Sequence, residues 1–292
     1  MSELERISFI GCGKVGRTLA RALNDAGYGI GALVCKTRES AETAVEFVGA
    51  GTIEENAIEA VESASVHFIT TNDDAIAKVV HEIDAQGPAS LLGHYFFHTS
   101  GSLSSTLLEP LQKRGAETAS IHPLQVFADP RKALETLPGI YYAIEGDDKA
   151  MSLAIQIVDK LQGKLLLIPT GRKVLYHIAG VFVANYLTVL VQLALNIMED
   201  IGETPEEAYE AFLPLMVGAL QNIEEFGIAE SLTGPLARGD LATVQKHLSA
   251  LDPLRPEILS IYKLLGQEAI AIAVQGGKIT QQKAKQLMGV LQ

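Results

Sequence analysis

Tryptophan is absent from the 292 residues, and cysteine occurs only as Cys12 and Cys35. Two cysteines cannot build a disulfide framework or a four-cysteine zinc site. Basic residues are in deficit, 23 against 35 acidic ones, which leaves a net charge of −12. That balance argues against a protein that coats nucleic acid. No His-Glu-x-x-His pattern occurs. His94 and His98, four apart on a strand, would stand roughly 13 Å from each other, too far for one ion, so no metal site is expected. The amino terminus lacks a basic stretch followed by an apolar one, and a cytoplasmic location is the expectation. Charged residues are scarce at 20% and hydrophobic ones reach 48%, a composition that folds rather than stays disordered.

One long stretch lacks formal charge altogether. Val174 to Met198 is 25 residues, enough to span a bilayer. It also carries His177, Asn185, Thr188, Gln192 and Asn196. At about 100° per residue these five fall on one stripe of a helix, with apolar residues around the rest. The expectation is a helix buried on most sides in protein, in preference to a membrane span.

Up to residue 168 the chain alternates β-rich runs with helical spacing. Runs at 6–10, 30–35, 66–70, 95–99, 118–121, 141–144 and 165–168 read as strands. Between the first two lies a helix with Leu19, Ala20 and Leu23 on one face, stopping at Gly27. Such alternation implies parallel pairing through right-handed crossovers. After Pro169-Thr-Gly171 the texture becomes helical, with helices expected near 172–199, 205–226, 240–250, 254–274 and 279–290. The fold class is therefore α/β. Residues 1–168 form a Rossmann-type, doubly wound, mostly parallel sheet, and residues 169–292 an all-α domain.

The chemistry starts at Gly11-x-Gly13-x-x-Gly16, which follows a strand and opens a helix. Gly11 permits the tight turn, Gly13 a close approach of backbone to pyrophosphate, and Gly16 close helix–strand packing. Lys14 and Val15 lie in the first helical turn, where free N–H groups and the helix dipole hold an anion. The second strand ends in Cys35-Lys36-Thr37-Arg38, with no carboxylate before Glu39. Lys36, Thr37 and Arg38 suit a ribose 2′-phosphate, so NADP is favoured over NAD. Thr70, Thr71 and Asn72 end the third clear strand, where ligands lie in such sheets, although Asn72 or Asp73 also reads as a helix cap.

Ser100, Gly101 and Ser102, after another strand, can present hydroxyls and N–H groups to a small anion, or cap the helix that follows. His122 approaches a substrate or bonds to backbone. Lys173 and His177 are i and i+4, on one helix face.

The glycine loop, His98-Thr-Ser-Gly-Ser102, Ser120-Ile-His-Pro-Leu124 and Leu137-Pro-Gly139 together carry a resemblance. So do Arg172-Lys173 through Asn185-Tyr186 and Leu232-Thr-Gly-Pro-Leu-Ala-Arg-Gly-Asp240. With these segments the chain resembles Rossmann-like NADP-dependent oxidoreductases whose helical C-terminal domain is of unknown function. More distantly it is similar to ketopantoate reductases and β-hydroxyacid dehydrogenases. The resemblance implies a lysine general acid, matched by Lys173, with an asparagine four residues on, where His177 stands instead. The expected activity is NADP-dependent hydride transfer to or from a small carbonyl or hydroxy acid, with a ketopantoate-type 2-oxo acid as the best analogy. Lys173 would protonate the alkoxide and His177 orient or relay. Ser100, Gly101, Ser102, His122 and Asn185 would contact an acidic substrate. The alternative is a non-catalytic NADP(H)-binding or redox-sensing protein. Phe182, Leu187, Leu190, Val191 and Leu195 form an apolar helix side that suggests a homodimer.

Overall fold

The computed structural model describes residues 6–292, in two compact units, one ending at Tyr186 and the other spanning Leu187–Gln292. In the first unit the elements run β1 (Arg6–Ile10), α1 (Lys14–Asp25), β2 (Gly29–Val34), α2 (Arg38–Val48), β3 (Thr52–Glu54), α3 (Ala57–Ser63), β4 (Val66–Ile69) and α4 (Asp73–Gln86). They continue through β5 (Tyr95–His98), a 3₁₀ turn (Ser105–Leu108), α5 (Glu109–Gln112), β6 (Glu117–Pro123), α6 (Pro130–Glu135), β7 (Tyr141–Gly146), α7 (Asp148–Lys160) and β8 (Lys164–Leu167). The last helix of the unit is α8 (Lys173–Gly180), followed by a π-helical turn at Val181–Asn185.

The eight strands form one sheet in the order β3-β2-β1-β4-β5-β6-β7-β8. Every pair is parallel except β6–β7. The pleat sorts neighbouring side chains to opposite faces. Phe9, Phe68 and Phe97 join the core on the face covered by α1, α2 and α7, while Ile10, Ile69 and Phe96 join the one covered by α3, α4 and α5. Both faces are buried, which accounts for the continuous apolar runs of the central strands. Helix α1 buries Leu19, Ala20 and Leu23, as its spacing requires.

Helix ends follow local chemistry. Thr37 caps α2, its hydroxyl accepting from the Ser40 N–H at 3.2 Å, and Gly49 ends that helix at φ +77°. Sequence reading passed over β3 and α3. The strand is three residues long at the sheet edge, and the seven-residue helix is announced only by Asn56, whose side chain accepts from two N–H groups. The expected division after Ile168 falls earlier than the end of the first compact unit at Tyr186, and within that unit Lys173 and Tyr176 hydrogen-bond Ser120 and His122 of β6.

The second unit contains α9 (Tyr186–Glu199), which continues the helix from the first unit, and then α10 (Pro205–Ser231), α11 (Gly234–Arg238), α12 (Leu241–Leu254), α13 (Pro256–Gln275) and α14 (Gln281–Leu291). Its core is Val244, Ile270, Ala273, Leu287 and Leu291 with their neighbours. Helix α10 breaks at Gly227, φ +78°, next to the end expected at 226. One expectation is corrected. The 173–199 helix is not buried on most sides: only 6% of its most apolar stretch is covered. Phe182, Val183 and Leu187 stand exposed, because an all-round apolar helix needs cover on every side and the described residues do not supply it.

Candidate active site

The glycine turn behaves as its spacing requires. Gly11 adopts φ +97°, and a Cβ there would stand 2.5 Å from the Thr71 methyl. A Cβ on Gly16 would meet the Thr70 hydroxyl at 2.4 Å, so α1 lies as close to β4 as a glycine permits. Gly13 differs: nothing lies within 4 Å of where its Cβ would be. That open ground above the first turn of α1, whose N–H groups include those of Lys14 and Val15, has the form of a cradle that a pyrophosphate would fit. A cleft of about 630 Å³ spreads from it, lined by Cys12, Arg17, Lys36, Asn56, Thr71 and Asn72 among others. The Thr71 hydroxyl is buried and has no partner among the described residues, and Asn72 starts α4 without using its side chain as a cap. Thr70 is structural, its hydroxyl donating to the Gly11 carbonyl at 2.7 Å. The residues present fit a dinucleotide.

Two of the three cofactor residues expected after β2 do other work. Thr37 is occupied as the α2 cap. Arg38 pairs with Glu42 one turn along, at 3.1 Å and largely in solvent. Lys36 lines the cleft, and the second cation there is Arg17, whose Nε donates to the Gly13 carbonyl at 3.3 Å. The cleft also contains the carboxylates Glu55 and Glu82.

Residues 70–73 lead from this cleft to a second cluster. The Asp73 carboxylate, in the first turn of α4, accepts from the Ser100 hydroxyl at 2.9 Å and the Ser102 hydroxyl at 2.7 Å. Both hydroxyls expected to face a substrate anion are thus engaged by Asp73, and an anion brought to them would meet its negative charge. Ser100 Oγ in turn accepts from the N–H groups of Ser102 and Leu103, at 3.2 and 3.0 Å.

Lys173 opens α8 and is 1% exposed. Its ammonium donates to the Ser100 carbonyl and to the Ser120 hydroxyl on β6, which uses two of its three N–H donors. Burial pushes its pKa from the ordinary 10.5 down to about 8, against the pull of the Glu145 and Asp73 carboxylates. Glu145, opposite Ser120 in the β6–β7 register, is itself buried and accepts from the N–H and hydroxyl of Ser105. Three residues along α8, the Tyr176 hydroxyl bonds His122 Nδ1 at 2.8 Å, with the rings edge to face. Burial, helped by the charge of Lys173, depresses the His122 pKa to about 4, and His122 is neutral at pH 7. A Cβ on Gly101 would lie 2.8 Å from His122 Nε2 and 2.9 Å from His177 Nδ1, so both imidazoles converge on this glycine. Lys173, His177, His122 and residues 100–102 thus come together as the sequence suggested. Asn185 does not: it is exposed, and twelve residues of helix place it roughly 18 Å along the axis from Lys173.

Residues 3–123 match the family described as a Rossmann-like domain, and residues 140–269 match the domain of unknown function DUF2520. The chain is a Rossmann-like protein with a DUF2520 domain.

Solved structures support this architecture. A Bacteroides fragilis protein provisionally named an NADP oxidoreductase is 21% identical with a TM-score of 0.73, over 92% of this chain and 99% of that one. A Thermotoga maritima protein is 27% identical with a TM-score of 0.72, over 92% and 98%. A reductive aminase from Aspergillus terreus, solved with NADPH and ethyl-5-oxohexanoate, is 18% identical with a TM-score of 0.60, over 99% and 92%. No curated protein matches the chain in sequence.

Sequence reasoning missed Arg17, Ser120 and Tyr176 and read Asp73 as a helix cap or part of a cofactor-lining loop, not as the partner of Ser100 and Ser102. Arg17 and Tyr176 had a usable signal, since each sits one helical turn from a residue already singled out, Gly13 and Lys173 respectively. Ser120 and Asp73 depend on strand register and loop path, which no local pattern encodes.

Proposed function

We propose that this chain catalyses NADP-dependent hydride transfer to or from a small carbonyl or hydroxy compound. The observation that supports it most is the joining, through residues 70–73, of an open glycine cradle to a buried ammonium with a pKa of about 8. A catalytic acid works best with a pKa close to the working pH. A dinucleotide held by Gly11, Gly13, Thr71 and Asn72, with its 2′-phosphate against Arg17 and Lys36, would supply the hydride. Lys173 holds the proton delivered to the substrate oxygen, and Asp73 and Glu145 keep that amine charged at neutral pH. His122, neutral and tied through Nδ1 to Tyr176, leaves Nε2 to orient the substrate, and His177 faces the same point. The names of structurally similar proteins, an NADP oxidoreductase and a reductive aminase solved with NADPH, support a reductase reading.

A ketopantoate-type 2-oxo acid was the analogy from sequence. The engagement of Ser100 and Ser102 by Asp73 favours neutral carbonyl substrates over acidic ones. A screen of 2-oxo acids, neutral ketones and aldehydes for NADPH-linked absorbance change tests both points. Turnover of neutral carbonyls above 2-oxo acids is expected. Preference for 2-oxo acids would return the anion site to residues 100–102, and no turnover with any carbonyl would overturn the proposal.

We also infer that a second copy of the chain covers the exposed helix. Phe182, Val183, Tyr186 and Leu187 there, and Leu215 and Phe226 on α10, are exposed apolar residues. The run 174–198 has no charge to repel its own copy, while the Gln192–Asn196 hydrogen bond on its polar stripe is ill suited to lipid. Light scattering should find a dimer at micromolar concentration, and a monomer there would remove this claim.

A further inference from the structure

Both cysteines of the chain line one cleft. Cys12 lies in the glycine turn just past β1, and Cys35 directly after β2. These strands are neighbours in the sheet, with Ile10 paired to Val34, and the Cys12 N–H reaches back to the Val34 carbonyl at 3.2 Å. Adjacent strands stand about 4.8 Å apart, within the Cα separation a disulfide spans. The Cys12 thiol donates to the Phe9 carbonyl at 3.6 Å. Cys12 is buried and Cys35 is partly open to the cleft, and neither is bridged. Arg17 contributes positive charge to both sulfurs.

We propose that Cys12 and Cys35 form an oxidisable thiol pair, with Cys35 the site of attack on hydroperoxides and Cys12 its resolving partner. The Cys35 thiolate attacks one peroxide oxygen. The O–O bond breaks, two electrons pass from sulfur to the peroxide, and Cys35 becomes a sulfenic acid as the peroxide leaves, with a proton, as an alcohol or water. The Cys12 thiol then displaces the sulfenic hydroxyl. A sulfur–sulfur bond forms and water departs with the Cys12 proton. The division of labour follows the surroundings. The neighbouring Cys12 lowers the Cys35 pKa to about 7, while Cys35 and burial raise that of Cys12. The bridge would tie the glycine turn to the end of β2, on the floor of the cleft assigned above to the dinucleotide. This last consequence rests on that assignment, whereas the thiol chemistry does not.

The test uses the full chain without added cofactor. Titration with hydrogen peroxide should take the thiol count from two to none, with an intact mass lower by two hydrogens and restored by dithiothreitol. Cys12→Ser should stop at a dimedone-trapped sulfenic acid, and Cys35→Ser should stay unmodified at the same dose. At neutral pH, iodoacetamide should alkylate Cys35 severalfold faster than free cysteine, its larger thiolate share outweighing the lower nucleophilicity of a low-pKa thiolate. Unbridged over-oxidation of wild type, or alkylation no faster than free cysteine, overturns the proposal. Saturating NADPH should slow the alkylation of Cys35. If the bridge forms yet NADPH gives no protection, the thiol pair stands and the dinucleotide assignment fails.

Discussion

Replacing Lys173 with methionine separates the charge of this residue from its bulk. The folded chain holds its ammonium at a pKa of about 8, whereas the ordinary value is 10.5. Between those two values the unfolded chain carries a proton that the folded chain has released. Stability therefore rises with pH across that window, because the unfolded state binds more protons there. At about 1.4 kcal/mol per pH unit, the depression is worth roughly 3 kcal/mol, most of it gained by pH 10. Urea unfolding at intervals from pH 7 to 10, for wild type and Lys173→Met, reads this directly. The difference between the two curves cancels groups that titrate alike in both proteins. Stability at pH 7 alone is a poor guide, since the methionine also leaves the Ser100 carbonyl and the Ser120 hydroxyl without their donor. Between pH 7 and 10 the wild-type curve should climb relative to the variant by roughly 2.5 kcal/mol. Two parallel curves would show that the amine is solvated, and the argument for a tuned acid would fail. On an identified substrate the same variant should lose roughly 10²–10⁴-fold in rate, the usual contribution of a general acid.

Acid should destabilise the chain through His67 and His98, both fully buried with pKa values pushed down to about 3 by burial. As pH falls below about 6.5 the unfolded chain takes up protons that the folded one refuses, at about 1.4 kcal/mol per pH unit for each histidine. His67→Phe should make the loss of stability between pH 7 and 5 shallower by one such increment, and an unchanged slope would contradict its burial as a neutral ring. Gly16→Ala should cost roughly 2–4 kcal/mol, from overpacking against Thr70 and loss of its bond to Gly11. Combined with Thr70→Ala it should cost clearly less than the two singles together, and strict additivity in urea unfolding would refute the close contact. Arg17→Ala should weaken NADPH binding by roughly 10–100-fold more than NADH binding, as expected for a lost charged hydrogen bond, while Arg38→Ala should leave the ratio alone. Calorimetry with both cofactors decides between the two arginines.

The sequence by itself determined what depends on near neighbours along the chain. The glycine turn was legible because only glycine tolerates φ +97° at position 11 or fits against Thr70 at position 16. The strand and helix alternation was legible because each period reports the face that must be buried. The pairing of Lys173 with His177 was legible because a helix turn is a local ruler. Even the true partner of Arg38 was within reach, since Glu42 lies at i+4. The tertiary structure alone decided where polar groups spend their hydrogen bonds. Ser100 and Ser102 looked free for an anion until the fold brought Asp73, some 27 residues away in sequence, to their hydroxyls. Lys173 was legible as a candidate acid, but the partners of its ammonium, the Ser100 carbonyl and Ser120 on β6, came only with the fold. The exposure of helix 173–199 likewise followed from what the rest of the chain fails to cover, because an apolar pattern states that a surface must be buried and is silent on which molecule buries it.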